Sequence, residues 1–163
     1  MKTLLLMRHA KSSWNDERLA DHDRPLNRRG LKASKRMGQL LRDKNLVPDL
    51  ILSSSALRAL TTAERLARAC AYEKSIAERR ELYLAEPGGY IQALNELGSS
   101  PDRVLLMGHN PGLEQLVETL TGKALRMPTA AIAQISLPLA SWAELELGMS
   151  GVLVQRFRPK DLD

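Results

Sequence analysis

The chain has 163 residues, of which 44% are hydrophobic, 26% charged and one a cysteine, and its formal net charge is +5. That length suits one domain over residues 1–163 with a full apolar core, and a lone cysteine excludes an intrachain disulfide. Aromatic residues make up only 4% and no stacking platform or RNA-binding motif accompanies the charge, so the balance argues for phosphorylated substrates rather than nucleic acid.

Met1-Lys2-Thr3 leads into only four apolar residues, Leu4 to Met7. That run is too short for a signal peptide or a membrane span, so a cytoplasmic protein with no membrane partner is expected. Residues 3–8 read as a buried strand and 10–27 as a polar loop. From Arg28 to about Lys44 the period is helical, with Gly30, Ala33, Met37, Leu40 and Leu41 on one face. The other face carries Arg28, Lys32, Lys35, Arg36 and Arg42; it reads as solvated surface, with docking of an acidic partner as the functional alternative.

Pro48-Asp49 ends that pattern and Leu50 to Leu52 form a second strand. Ser53, Ser54 and Ser55 are candidate caps for a helix striped by Ala56, Ala59, Leu60, Ala63, Leu66, Ala67 and Cys70. On that stripe Cys70 is a buried, inert thiol. A short strand is expected around residues 75–77, and Gly88-Gly89 precedes a helix to about Leu97. Arg103 to Met107 is a strand. Asn110-Pro111 predicts a cap and a first helical position for a helix that buries Leu113, Leu116, Val117 and Leu120 and stops at Gly122. Strands at 132–137, 142–147 and 152–157, the last after a turn at 148–151, close the chain. The alternation of strands and helices predicts an α/β fold, a three-layer sandwich with a mostly parallel central sheet, helices on both faces and antiparallel strands added at one side.

In such sheets ligands bind beyond the carboxyl ends of the strands. Arg8-His9 follows the first strand, Arg58 lies in the first turn after the second, and Gly108-His109-Asn110-Pro111 follows the 103–107 strand. Two of the three histidines would thus meet two arginines. Arginine offers a planar fork of donors to phosphate oxygens, and a neutral imidazole nitrogen is a nucleophile toward phosphorus. Nearby guanidinium charge keeps that imidazole unprotonated. Arginine in a helix's first turn also opposes the helix dipole, which disfavours it unless an anion is near. Arg24 pairs with Asp21 or Asp23 in the loop on a reading of the residues alone. His22, between those aspartates, reads as an exposed loop residue; it lacks ligand spacing from a second element, so no metal site is expected. Thr129 is a candidate for the pocket rim.

Leu6-Met7-Arg8-His9-Ala10 resembles the signature of the histidine phosphatase superfamily, whose fold is phosphoglycerate-mutase-like. The usual form is Arg-His-Gly, from which Ala10 departs by one methyl group. Asp23 to Gly30 resembles the segment before that family's first long helix, Ser53 to Glu64 the block with the second arginine, and Gly108 to Pro111 the block with the second histidine. The short length, Ala10 and the 142–162 tail are similar to the SixA type, which resemblance assigns to phosphohistidine phosphatases acting on signalling proteins. The resemblance implies that His9 forms a phosphoenzyme while Arg8, Arg58 and His109, assisted by Arg24, bind the phosphoryl group, with no metal or organic cofactor. Glu81 occupies the region of the family's general acid. Imidazole leaves phosphorus more readily than an alkoxide, so a weak acid site favours phosphohistidine over phosphomonoesters.

The leading expectation is therefore a monomeric phosphatase acting on a phosphorylated protein such as a histidine-containing phosphotransfer domain. A phosphatase for a small phosphorylated metabolite is the nearest rival. A phosphate-binding module without turnover is the reading from another class, and a mutase, which needs lid material to shield its phosphoenzyme, ranks below these.

Overall fold

The computed structural model describes residues 1–148 and 150–163. Its centre is β1 (Lys2–Arg8), in which Leu4 to Met7 are all fully buried. Such a continuous apolar run is what a strand covered on both faces requires. The helices follow as α1 (Arg28–Asp43), α2 (Leu57–Ala69), α3 (Pro87–Asn95) and α4 (Gly112–Thr121). The remaining strands are β2 (Leu50–Ser54), β3 (Ala77–Arg79), β4 (Arg103–Gly108), β5 (Ile132–Leu137) and β6 (Val152–Phe157).

The six strands form one sheet in the order β3-β2-β4-β1-β5-β6. The first four run parallel and β5 and β6 antiparallel, as the alternation predicts. Along β1, Leu4 and Leu6 join α3 and α4 in one apolar cluster, while Leu5 and Met7 join α1 and α2 in the other. The period of two therefore feeds both cores from one strand. Close helix contact on the second face depends on Gly38, where an added Cβ would lie 2.5 Å from the carbonyl oxygen of Leu66.

This topology creates a crevice. β1 and β4 are neighbours, with Arg8 opposite Gly108. The helix after β1 lies on one face of the sheet and the helix after β4 on the other, so the chain diverges at their carboxyl ends. His9 and His109 are the first residues beyond those ends.

Several local expectations are corrected. β3 begins at Ala77 rather than Ser75, and Gly88 and Gly89 lie inside α3, with Pro87 at its start. The 142–147 segment is not a strand: Trp142–Glu144 form a 3-10 turn. Trp142 and Leu145, three apart, are buried while Leu147 is exposed, which is a helical spacing. The Trp142 indole N–H donates to the carbonyl of Pro101 at 2.6 Å. The turn expected at 148–151 includes Met149, which lies outside the described residues. Neither predicted cap forms as expected. Ala56 precedes α2 without a side-chain cap, and its N–H donates to Ser54 Oγ at 3.2 Å. α4 starts after a cis Asn110–Pro111 bond, with Pro111 rather than Asn110 at the cap position. The Asn110 amide nitrogen instead donates to the carbonyl of Met127 at 2.9 Å.

Candidate active site

A pocket of about 240 Å³ opens at the crevice, and Arg8, His9, Arg24, Arg58 and His109 all line it. His9, Arg24, Arg58 and His109 are buried. Burial of so many polar side chains is costly unless they are paired or meet a ligand.

The backbone holds the two histidines rigidly. The N–H of His9 donates to Gly108 O at 3.2 Å, and the N–H of Ala130 reaches both Arg8 O and His9 O at 3.0 Å. The Ala10 N–H donates to the hydroxyl of Thr62, which donates in turn to the carbonyl of Arg58. Thr62 thereby ties the loop after β1 to α2. Ala10 is fully buried in the α1/α2 core, so its methyl group packs rather than entering the pocket. On the other side the buried Tyr90 hydroxyl accepts from the His109 N–H at 3.1 Å.

Hydrogen bonding fixes the tautomer of His9. Its Nδ1 lies 2.8 Å from the carbonyl oxygen of Ala10. A carbonyl only accepts, so Nδ1 carries the proton and Nε2 holds the lone pair. Arg58 Nε–H approaches that lone pair at 3.4 Å. Burial first, and then the charges of Arg58, Arg8 and Arg24, push the His9 pKa down to about 4 against the carbonyl bond that raises it. His109 is pushed down to about 3 by burial and then by His9 and Arg58. Both rings are neutral at pH 7, with centroids 5.1 Å apart. His109 Nε2 sits 2.7 Å from Ser54 Oγ, while its buried Nδ1 has no hydrogen-bond partner among the described residues. Ser54 Oγ already accepts from Ala56, so its own proton is free to go to His109 Nε2. That puts the ring proton on Nδ1, which is buried beside the pocket that His109 lines.

Asp21 organises the arginines, and the motifs did not single it out for this. Its side chain accepts from Arg58 Nη2 and Arg24 Nη1, each at 2.9 Å, and makes a short hydrogen bond with the Tyr83 hydroxyl. Burial raises its pKa, but the bonds from Tyr83, Arg24 and Arg58 outweigh that and hold it at about 2. Asp21 is thus the partner for Arg24, and Arg24 also lines the pocket, stacked 3.1 Å over the ring of Trp14. His22 is not a free loop residue: its Nε2 lies 2.8 Å from Ser55 Oγ and its ring meets Tyr83 edge-on. Thr129 lines the rim. Glu81 does not reach the pocket; it is exposed and faces Arg79 at 3.8 Å. The only signal for Asp21 was its position three residues before Arg24, and nothing local pointed to Tyr83, 62 residues away.

The constellation gathers one lone-pair nitrogen, a second neutral imidazole and three guanidinium groups around a space fit for a tetrahedral oxyanion. The family model described as histidine phosphatase superfamily (branch 1) matches residues 4–83. An uncharacterized protein of Mycobacterium tuberculosis is 34% identical over 158 residues, covering 90% of this chain and 96% of its own. Among solved structures, a protein from Agrobacterium tumefaciens assigned as the phosphohistidine phosphatase SixA is 28% identical, with a TM-score of 0.82 over 97% of this chain and 99% of that one. The protein histidine phosphatase SixA complexed with tungstate has a TM-score of 0.85 at 24% identity, over 99% of each chain. The fold extends to a metabolite enzyme, the mycobacterial glucosyl-3-phosphoglycerate phosphatase, with a TM-score of 0.70 at 15% identity over 94% of this chain and 97% of that one.

Proposed function

The chain belongs to the histidine phosphatase superfamily, and from that premise we propose that it is a phosphatase that forms a phosphoenzyme on His9 and takes phosphohistidine on a protein as its substrate. Arg8, Arg58 and His109 bind the phosphoryl oxygens, with Arg24 assisting. The lone pair of His9 Nε2 attacks phosphorus; the bond to the leaving nitrogen breaks, and its electron pair stays on the departing imidazole. The proton on the far nitrogen of that ring makes the leaving group neutral. Water then attacks the phosphorus on His9; the P–Nε2 bond breaks with its electron pair returning to Nε2, and phosphate leaves as dihydrogen phosphate carrying both of the water's protons. Clamping and charge neutralisation suffice because the transition state is loose.

The observation that carries the choice of phosphohistidine is the state of the carboxylates. The one that lines the pocket, Asp21, stays ionised far below neutral pH, and Glu81 faces away. Neither supplies the proton that an alkoxide leaving group needs, whereas an imidazole leaves without it. The reading carries with it a cytoplasmic monomer that needs no cofactor; no helix among the described residues is long and apolar enough to cross a membrane.

The test offers the enzyme a phosphorylated histidine-containing phosphotransfer domain and a panel of alkyl phosphomonoesters, with trapping of phosphate on the chain. The expected result is label on His9, none on His9→Ala, and kcat/KM about a hundredfold higher for phosphohistidine, the order that proton donation contributes elsewhere. Equal or faster turnover of an alkyl phosphate would assign the site to a small metabolite. No trapped or released phosphate from any compound would leave only a phosphate-binding module.

A further inference from the structure

A second and larger groove, of about 490 Å³, adjoins the catalytic pocket and shares Lys11 and Thr129 with it. Six cations line it: Lys11, Arg29, Lys32, Arg36, Arg158 and Lys160. They come from three segments far apart in sequence. Lys11 follows β1. Arg29, Lys32 and Arg36 are spaced to share one face of α1. Arg158 and Lys160 belong to the C-terminal end of the chain. Of the basic face predicted on α1, only Lys32 and Arg36 line this groove; Arg28, Lys35 and Arg42 do not.

We propose that this groove is the docking surface for an acidic protein face beside the phosphorylated residue, so that substrate selection lies in the groove and chemistry in the pocket. The proposal rests on the protein-phosphohistidine reading above. Three observations support it. The first is charge that the fold leaves unbalanced. Lys11, Arg29, Lys32 and Lys160 make no ion pair among the described residues. The first turn of α1 holds no acidic residue, so Arg29 and its neighbours add to the positive end of the helix dipole, a cost that an incoming anion relieves. The second is that a carboxylate already fits. Asp163, which lines the groove itself, has its Oδ1 2.9 Å from Arg36 Nη1. The third separates a protein partner from a small ligand. None of the six cations is buried, whereas the catalytic pocket buries Arg24 and Arg58. Exposed, solvated cations steer and register a large partner, and do not form a tight small-anion cage. The catalytic pocket is also lined by Trp14 and Leu84, 71% and 56% exposed, apolar contacts of the kind a protein face covers.

The experiment compares the double variant Arg29→Glu/Lys32→Glu with the control Lys35→Glu/Arg42→Glu, which makes the same charge change on α1 outside the groove. Each is assayed on the phosphorylated phosphotransfer domain, on an aryl phosphate and on fructose 1,6-bisphosphate. At about 20 mM salt the groove variant is expected to lose about tenfold in kcat/KM for the protein, through KM, and to recover much of it at about 0.5 M salt, where the Debye length shrinks to a few ångström. Aryl phosphate turnover stays unchanged, which shows that the pocket is intact. Equal loss in the control would mean bulk charge, and a selective loss on the bisphosphate would mean a small-anion subsite; either overturns docking. An unchanged protein substrate overturns it too. If the unmodified enzyme ignores the phosphorylated domain yet turns over the aryl phosphate, the substrate reading itself has failed, and the groove proposal with it.

Discussion

Both pocket histidines are held neutral by burial and by neighbouring positive charge, and this couples the site to stability. In the unfolded chain His9 titrates near its ordinary value of 6.5, while in the fold it titrates at about 4. Between those values the unfolded state binds more protons, so stability is present above pH 6.5 and falls as pH is lowered toward 4. The difference corresponds to about 3 kcal/mol for His9, an order-of-magnitude figure. Urea unfolding of the parent and of His9→Asn between pH 7 and pH 4 is expected to show a shallower acid slope in the variant. Parallel curves would mean that His9 is not held neutral. His9, Arg8, Arg58 and His109 were legible in the sequence because each ends or follows a strand or opens a helix, where fold class alone brings them together. Tyr83 and Ser54 were not, and Asp21 was legible only as a partner for Arg24, not for Arg58 or Tyr83. They act through hydrogen bonds between segments tens of residues apart, and such closure leaves no local period. Glu81 shows the converse: the right residue type in the expected region, turned toward Arg79 by a short 3-10 turn at Arg80–Leu82.

At the scale of elements, the position of His109 depends on how closely α4 approaches the segment before α3. An added Cβ on Gly112 would lie 2.0 Å from the carbonyl oxygen of Ala85 and 3.1 Å from the Tyr90 ring. Backbone cannot yield at that distance without moving α4, and Tyr90 is the residue that fixes the His109 backbone. Gly112→Ala is therefore expected to cost about 1–3 kcal/mol, as overpacking does, and to lower kcat on an aryl phosphate. Gly88→Ala is the contrasting change. Its Cβ would meet nothing within 4 Å, and on α3 it should add about 0.5–1 kcal/mol through helix propensity. Thermal melts and one activity assay decide both; a Gly112→Ala protein with full stability and rate would show that α4 has slack. The long elements were legible because their apolar periods are sustained: α1 and α2 each bury a stripe over several turns. Trp142 to Leu147 misleads because six residues are too few to separate alternation from a three-residue spacing. Only packing against α3 and the carbonyls of Gly98 and Pro101 decides it.

The whole molecule has two apolar layers but one sheet, and this bears on how it unfolds. Every residue of β1 from Leu4 to Met7 belongs to one layer or the other in alternation, and the same holds for Val104 to Met107 on β4. Removing either layer would expose half of each central strand, so neither pair of helices has a core of its own. The two tryptophans report on opposite parts of this structure. Trp142 is fully buried in the α3/α4 layer, and Trp14, 71% exposed, is stacked under Arg24 at the candidate active-site pocket. In Trp14→Phe the fluorescence reads the core, and in Trp142→Phe it reads the site. Each variant shifts stability on its own account, so each needs an internal reference, the far-UV helix signal of the same sample. In both variants the fluorescence midpoint in urea is expected to coincide with the helix midpoint, the signature of a two-state transition. A Trp14 signal that changes at lower urea than the helices would show that the loop carrying Asp21 and Arg24 opens first. The site's arginines would then be organised by a local equilibrium, separate from the cooperative sheet that holds His9 beside His109.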